Sequence, residues 1–181
     1  MEFVFLGWPA AEPRLELDHR RFAYAGKFVV GSTGKAIARA DDRTVAAVSF
    51  SPDRTAEDRM WVRYLTVDTD HRGHRIAPRL VTATVDRILE DGYEAVTIAV
   101  NNPFSYVAMY RAGFGFTGET TGIAEVVLST DVDRQPVRFR AGLGVVIARG
   151  PASTVERDYA GDWMRRDPPE TCTPPDLTDG R

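Results

Sequence analysis

The residues best placed to do chemistry are Arg72-Gly73-His74-Arg75-Ile76-Ala77, which lead from a strand-like run into a stretch with helical apolar spacing. A helix amino end presents backbone N–H groups without intrahelical partners and the positive end of the dipole, and together these attract an anion. Gly73 permits a tight turn and Ala77 a close approach, while Arg72, Arg75 and Arg79 add charge. A polyphosphate is the natural ligand. Read alone, the segment fits equally well a basic helix start flanked by solvated charges.

Other signals fail on context. Gly113-Phe114-Gly115-Phe116-Thr117-Gly118 has dinucleotide-loop spacing but follows a helix and opens none. Gly31-Ser32-Thr33-Gly34-Lys35-Ala36 lacks nucleotide-loop spacing and reads as a turn. His71 and His74 have only the remote His19 as a third partner and no suitable carboxylate, so they read as loop histidines near phosphate and no metal is expected. Cys172, in a Pro-rich segment, is a weak nucleophile candidate.

The elements that position the loop follow from pattern. Residues 60–67 are apolar or aromatic on both faces, with Trp61, Leu65 and Val67 on one and Val62 and Tyr64 on the other, as in a central strand; Arg63 is the exception. After 68–73, apolar residues recur at Ile76, Leu80, Val81, Val85, Ile88 and Leu89, one face of a helix that Gly92 ends. Residues 94–100 read as the next strand, parallel to the first because a helix intervenes. Asn102-Pro103 opens a second helix, Asn as cap and Pro at the first position, and Gly113 closes it. Upstream, 4–6 is a short apolar run, 13–24 a broken helix, and 36–51 an antiparallel hairpin turning at Asp41-Asp42-Arg43. Downstream, 123–129 and 137–148 read as a second hairpin. Residues 151–181, Pro-rich and without a period, read as a mobile or surface-hugging tail after one domain over 1–150.

In order and spacing, Leu65-Thr66-Val67, the loop from Arg72 to Ala77, a helix, a strand, Asn102-Pro103-Phe104-Ser105 and Gly113-Phe114 resemble the acetyl-CoA-binding core of the GNAT superfamily over residues 61–116. The resemblance implies an α/β protein, a twisted mixed sheet with helices on both faces, and an N-acetyltransferase moving the acetyl group of acetyl-CoA to a primary amine. The alternative is a CoA-binding regulatory module of the same fold without turnover. It further implies that Leu65, Thr66 and Val67 line the pantetheine arm, that Arg72, Gly73, His74, Arg75, Ile76 and Ala77 hold the pyrophosphate, and that Asn102 and Ser105 contact coenzyme A. Capping the helix is an equal use for Asn102.

Three departures stand out. Arg75 replaces the usual loop glycine, so the turn must form without a positive φ there or turn the side chain outward. Met109 occupies the position where many members carry the tyrosine that protonates the leaving thiolate. Tyr106 and Tyr110 flank it, about 60° and about 100° away around a helix, and are the two candidates for the acid. No Glu lies on the first strand as a general base, Glu57 and Asp58 preceding it, so water can relay the proton.

Composition bounds the rest. The 181 residues are 43% hydrophobic with net charge -3 and scattered cations, which suits one domain and excludes a nucleic-acid footprint. A single cysteine excludes a disulfide framework and points to a reducing compartment. The first residues lack a basic leader, and no apolar run nears the roughly 18 residues of a membrane span, so a cytoplasmic protein without membrane contact is expected. Homodimerisation and the identity of the amine stay open.

Overall fold

A computed structural model describes residues 1–180. The chain is mixed α/β, with eight strands and four α-helices among the described residues. It parts into two compact units, Met1–Val96 with the segment from Thr173, and Thr97–Cys172.

In the first unit the strands run in the order β8-β1-β2-β3-β4, with β1 at Glu2–Gly7, β2 at Gly34–Ala40, β3 at Arg43–Pro52, β4 at Arg59–Val67 and β8 at Leu177–Asp179. The β2–β3 hairpin turns through Asp41 and Asp42, both at positive φ (48° and 59°), which Asp tolerates better than most residues. Helix α1, Ile76–Glu90, covers one face, and its arginines Arg79 and Arg87 lie over the rings of Phe3 and Phe5. The opposite face, with Val4, Ile37 and Ala47, is covered by the irregular segment 13–30 through Leu15, Leu17 and Phe28.

That segment corrects the broken helix read over 13–24: it holds turns and a short 3₁₀ stretch at Ala25–Lys27. Its start is anchored to β2 instead. Lys35, fully buried on β2, donates to Pro13 O (2.6 Å), Val30 O (2.7 Å), Thr33 O (3.0 Å) and Thr33 Oγ1 (3.0 Å). Carbonyls turned toward a lysine are not available to a helix ladder.

Strand β4 carries one residue too many. Ser49 lies opposite Tyr64 and Phe50 opposite Val62, so Arg63 is a β-bulge. The bulge swaps faces, placing Val62 on the α1 side with Phe50 and Tyr64 on the other with Ser49. The sequence reading, which put Val62 and Tyr64 together and Trp61 with Leu65 and Val67, is corrected accordingly.

The second unit orders its strands β5-β7-β6, with β5 beginning at Ala95 in the first unit and running to Val100, β6 at Gly115–Thr120 and β7 at Val126–Ser129; both pairings are antiparallel. Helices α2 (Pro103–Arg111), α3 (Pro136–Ala148) and α4 (Thr154–Met164) complete it. Two sequence expectations fail here. Residues 137–148 are helix α3, not a strand: Pro136 sits in its first turn, and the buried Phe139, Leu143 and Val146 recur at helical spacing. The partner of β7 is β6. Residues 151–181, read as a mobile or surface-hugging tail without a period, hold α4, opened by a Ser153/Glu156 capping box, and β8, which pairs in parallel with β1.

Candidate active site

The first unit presents the segment from Arg72 to Ala77 that the sequence marks as a candidate anion site. Asp68 ends β4 and its carboxylate accepts from the Asp70 amide (3.1 Å), starting the 3₁₀ turn Thr69–His71. The chain then passes Gly73, at φ 83°, and reaches Arg75, at φ 56° and ψ 27°, as the residue preceding α1. Arg75 thus adopts the left-handed conformation itself, a strain of about 1–3 kcal/mol that glycine would avoid. Its side chain, with those of Arg72, His74 and Arg79, is exposed. No side chain caps α1 and no acidic residue lies in its first turn. Where most helices answer their amino end with Ser, Thr, Asp or Asn, this one offers arginines.

Asp68 is almost wholly buried and Arg21 holds it from segment 13–30, through Nε (3.0 Å) and Nη2 (2.6 Å), with Asp70 at 3.2 Å. Burial pushes the Asp68 carboxyl up, but the Arg21 hydrogen bond, the Asp70 amide and the charges of Arg21 and His71 outweigh it and hold it below the ordinary value. His71 Nδ1 lies 3.5 Å from the same carboxylate and His74 Nδ1 3.3 Å from His71 O. Among the described residues no group of three His, Cys, Asp or Glu could hold a metal.

Of the β4 residues, Thr66 is buried while Leu65 and Val67 are half-buried. The hydroxyls of Thr66 and of Ser49, one row away on the same face, have no hydrogen-bond partner. Such groups cost about 1–3 kcal/mol each. Nothing in the sequence marked Ser49, because its place beside Thr66 follows from the register and bulge of two strands.

In the second unit, Asn102 caps α2: its Oδ1 accepts from Ser105 N (2.9 Å) and its Nδ2 donates to Ser105 Oγ (3.0 Å). Gly113 (φ 95°) ends that helix with a Schellman pair, its own N–H to Tyr110 O (3.2 Å) and that of Phe114 to Met109 O (3.1 Å). Tyr106, Met109 and Tyr110 are fully buried. The Tyr106 hydroxyl donates to Phe139 O (2.9 Å), and that of Tyr110 accepts from Phe116 N (2.9 Å). Burial, reinforced by the neighbouring Tyr110, pushes the Tyr106 phenol far up, and burial likewise raises Tyr110. The two rings lie 5.0 Å apart against Phe139.

An α/β chain with a bulged β4 leading through an uncapped, arginine-flanked turn into α1 has the make-up of an acetyltransferase. The family model of the Acetyltransferase (GNAT) family matches residues 2–116, and the chain belongs to that family. Among curated proteins nothing matches the chain by sequence. An acetyltransferase from Bacillus subtilis, solved in complex with CoA, shares the fold with a TM-score of 0.50 at 12% identity, over 56% of this chain and 78% of that one. Nourseothricin acetyltransferase gives 0.47 at 22% identity, over 54% and 64%, and the PaiA N-acetyltransferase of Thermoplasma acidophilum, in complex with coenzyme A, gives 0.47 at 14%, over 54% and 60%. The chain spans less than two thirds of the length of these last two.

Proposed function

We propose that this protein transfers the acetyl group of acetyl-CoA to a primary amine. The observation that carries the reading is the amino end of α1: an uncapped helix start without acidic residues, entered through Gly73 and Arg75 at positive φ and flanked by Arg72 and Arg79. Its chemistry fits a pyrophosphate, because unpaired N–H donors and the helix dipole face an open, positively charged turn. The Bacillus subtilis acetyltransferase of similar fold was solved in complex with CoA, which supports CoA as the ligand.

In this reading Arg72, Gly73, His74, Arg75, Ile76 and Ala77 hold the phosphates, and Leu65, Thr66 and Val67 line the pantetheine arm. Ser105 contacts coenzyme A from α2, and Asn102 serves mainly to hold that helix start in shape. The amine nitrogen bonds to the thioester carbonyl carbon, the C–S bond breaks, and the nitrogen gives up a proton as the sulfur leaves. Alignment of the two reactants supplies much of the rate, and a thiol with a pKa of about 8.5 departs with little help. The acid is assigned to solvent rather than to Tyr106 or Tyr110, both fully buried, the hydroxyl of Tyr106 donating to Phe139 O and that of Tyr110 accepting from Phe116 N.

Thiol release from acetyl-CoA, followed against a panel of amines, tests the reading. Amine-dependent release at steady state is expected. Tight CoA binding with no release under any amine would favour the regulatory CoA-binding module instead.

A further inference from the structure

Segment 13–30 lies over one face of the first unit's sheet, and its attachment is uneven. Lys35 holds the two ends through the carbonyls of Pro13 and Val30, and the Leu15 amide donates to Phe28 O (3.0 Å) to close the base. The loop between, residues 16–24, is built on itself: Asp18 O accepts from Arg21 N (3.0 Å) and Phe22 N (2.9 Å), and Asp18 Oδ1 from Arg20 N (2.9 Å). Among the described residues, every hydrogen bond that joins residues 16–24 to the fold outside segment 13–30 runs through Arg21. Its guanidinium holds Asp68 and Asp70, and its carbonyl accepts from Thr69 N (3.1 Å). Of residues 16–24 only Phe22 is buried.

All three partners of Arg21 belong to the turn that leads into residues 72–77. Asp68 is tied to β3, its amide donating to Val45 O (2.9 Å), and its side chain is buried, whereas that of Asp70 is exposed. From the Asp68 carboxylate the contacts run on to His71 Nδ1 (3.5 Å), and from His71 O to His74 Nδ1 (3.3 Å). A 3₁₀ turn rises about 2 Å per residue, so the step from Asp68 to Arg72 covers no more than the Debye length of about 8 Å in physiological salt. The charge state at Asp68 is therefore felt at the start of α1. The joint has two arrangements. Closed, Arg21 and Asp68 form a neutral pair; open, the guanidinium turns to solvent and leaves a carboxylate without its counter-charge. Tyr24 adds a bias, since its left-handed φ of 59° is strain that the docked loop holds and an open loop releases.

We propose that Arg21 is a clasp: it docks residues 16–24 by closing on Asp68, and an anion at the start of α1 favours the closed form, so that filling the anion site orders this loop. The proposal rests on the assignment of the phosphates to residues 72–77. The link is a difference in free energy between the two arrangements, because an incoming phosphate meets a neutral pair when the clasp is closed and a bare carboxylate when it is open. By reciprocity, the closed clasp raises the affinity for the phosphate. Arg21 acts through Asp68 and is a positioning residue.

Hydrogen exchange of the full chain, read by mass spectrometry with and without saturating CoA, follows residues 16–24 and 72–77 in one experiment. In the wild type CoA should slow exchange in both, by about threefold or more in 16–24. In Arg21→Gln the loop should exchange faster and no longer respond to CoA, and calorimetry should show CoA affinity lower by about threefold or more. Arg21→Lys, which keeps the charge without the fork and so folds with its carboxylate answered, should give a reduced response. The separating variant is Arg21→Gln with Asp68→Asn. It removes the bare carboxylate, so CoA affinity should return towards the wild-type value while residues 16–24 stay undocked, a recovery that a merely structural role for Arg21 would not give. Unchanged exchange in β2 and β3 checks the fold. A wild-type loop indifferent to CoA while 72–77 is protected overturns the clasp and leaves the phosphate assignment standing. A loop that still responds in Arg21→Gln, or a double variant that binds CoA no better than the single one, overturns the clasp as well. CoA that protects neither segment overturns both.

Discussion

Arg21 grips Asp68 with two donors, Nε at 3.0 Å and Nη2 at 2.6 Å, across 47 residues of sequence. The contact fastens segment 13–30 to the turn that precedes the residues proposed to hold the phosphates. Because the folded-state carboxyl is held below its unfolded value, the stability it contributes is complete above the ordinary Asp value of about 3.9 and is lost as pH falls through the lower folded value. Asp68→Asn should therefore be less stable than wild type at neutral pH, with the gap closing only in acid below about pH 4. Urea melts across pH would show this. A gap unchanged down to about pH 2 would mean that the pair does not set the stability.

Gly73 has a positive φ of 83° with no atom within 4 Å of where a Cβ would stand. Gly73→Ala should cost about 1–3 kcal/mol in backbone strain and leave CoA binding measurable. Gly73→Glu adds negative charge beside the helix start and should abolish CoA binding in a folded protein. Calorimetry decides; unchanged affinity in the Glu variant would remove the phosphate assignment.

The segment from Thr173 should not be dispensable. Strand β8 pairs with β1 at Phe3, Val4 and Phe5, Thr178 Oγ1 donates to Phe3 O (3.2 Å), and Arg87 pairs with Asp179 (2.9 Å). Truncation before Thr173 bares the backbone of β1 as an edge. A melting temperature lower by several degrees and a rise in light scattering are expected, and a truncated protein that melts like the full chain would show that β8 adds nothing.

Periodicity made α1 readable because its buried face follows a single rule, and Asn102-Pro103 announced α2 because cap chemistry is local. What escaped depended on residues far apart. Lys35 holds the carbonyls of Pro13 and Val30 and Phe28 O takes the Leu15 amide, so the segment is tied to partners far along the chain that no local period records. The bulge at Arg63 shows in sequence only as a charge that interrupts an apolar run, yet it decides that Tyr64 and Thr66 share a face with Ser49. In 137–148 the run Val145-Val146-Ile147 favoured a strand, and burial of Phe139, Leu143 and Val146 on one face outweighed that propensity. Of the candidate site, the basic helix start from Arg72 to Ala77 was legible because its features are local in sequence. The row that sets Ser49 beside Thr66 was not, since it depends on the register of two strands.

The tyrosines offer the sharpest separation of chemistry from packing. Were Tyr106 or Tyr110 the acid, its change to Phe would lower kcat by about 10²-fold or more with CoA affinity nearly constant. The geometry predicts otherwise. Tyr106→Phe removes the second donor of Phe139 O, which the α3 ladder still pairs, and should cost about 0.5–1.5 kcal/mol of stability, whereas Tyr110→Phe leaves the buried Phe116 N–H without its acceptor and should cost about 1–3 kcal/mol. Gly142 is part of the same arrangement: a Cβ there would stand 2.3 Å from the Tyr106 hydroxyl and 2.6 Å from the Phe116 ring. Gly142→Ala should therefore destabilise the protein more than either Phe variant does, while Tyr106→Phe, which removes that hydroxyl, should soften the clash in the double variant. A double-mutant cycle in urea reads the coupling, and kcat measured on the folded fraction reads the chemistry. Coupling with near wild-type kcat in both Phe variants makes the pair a packing unit, whereas a hundredfold loss of kcat in one, at unchanged stability, would return the acid to that residue.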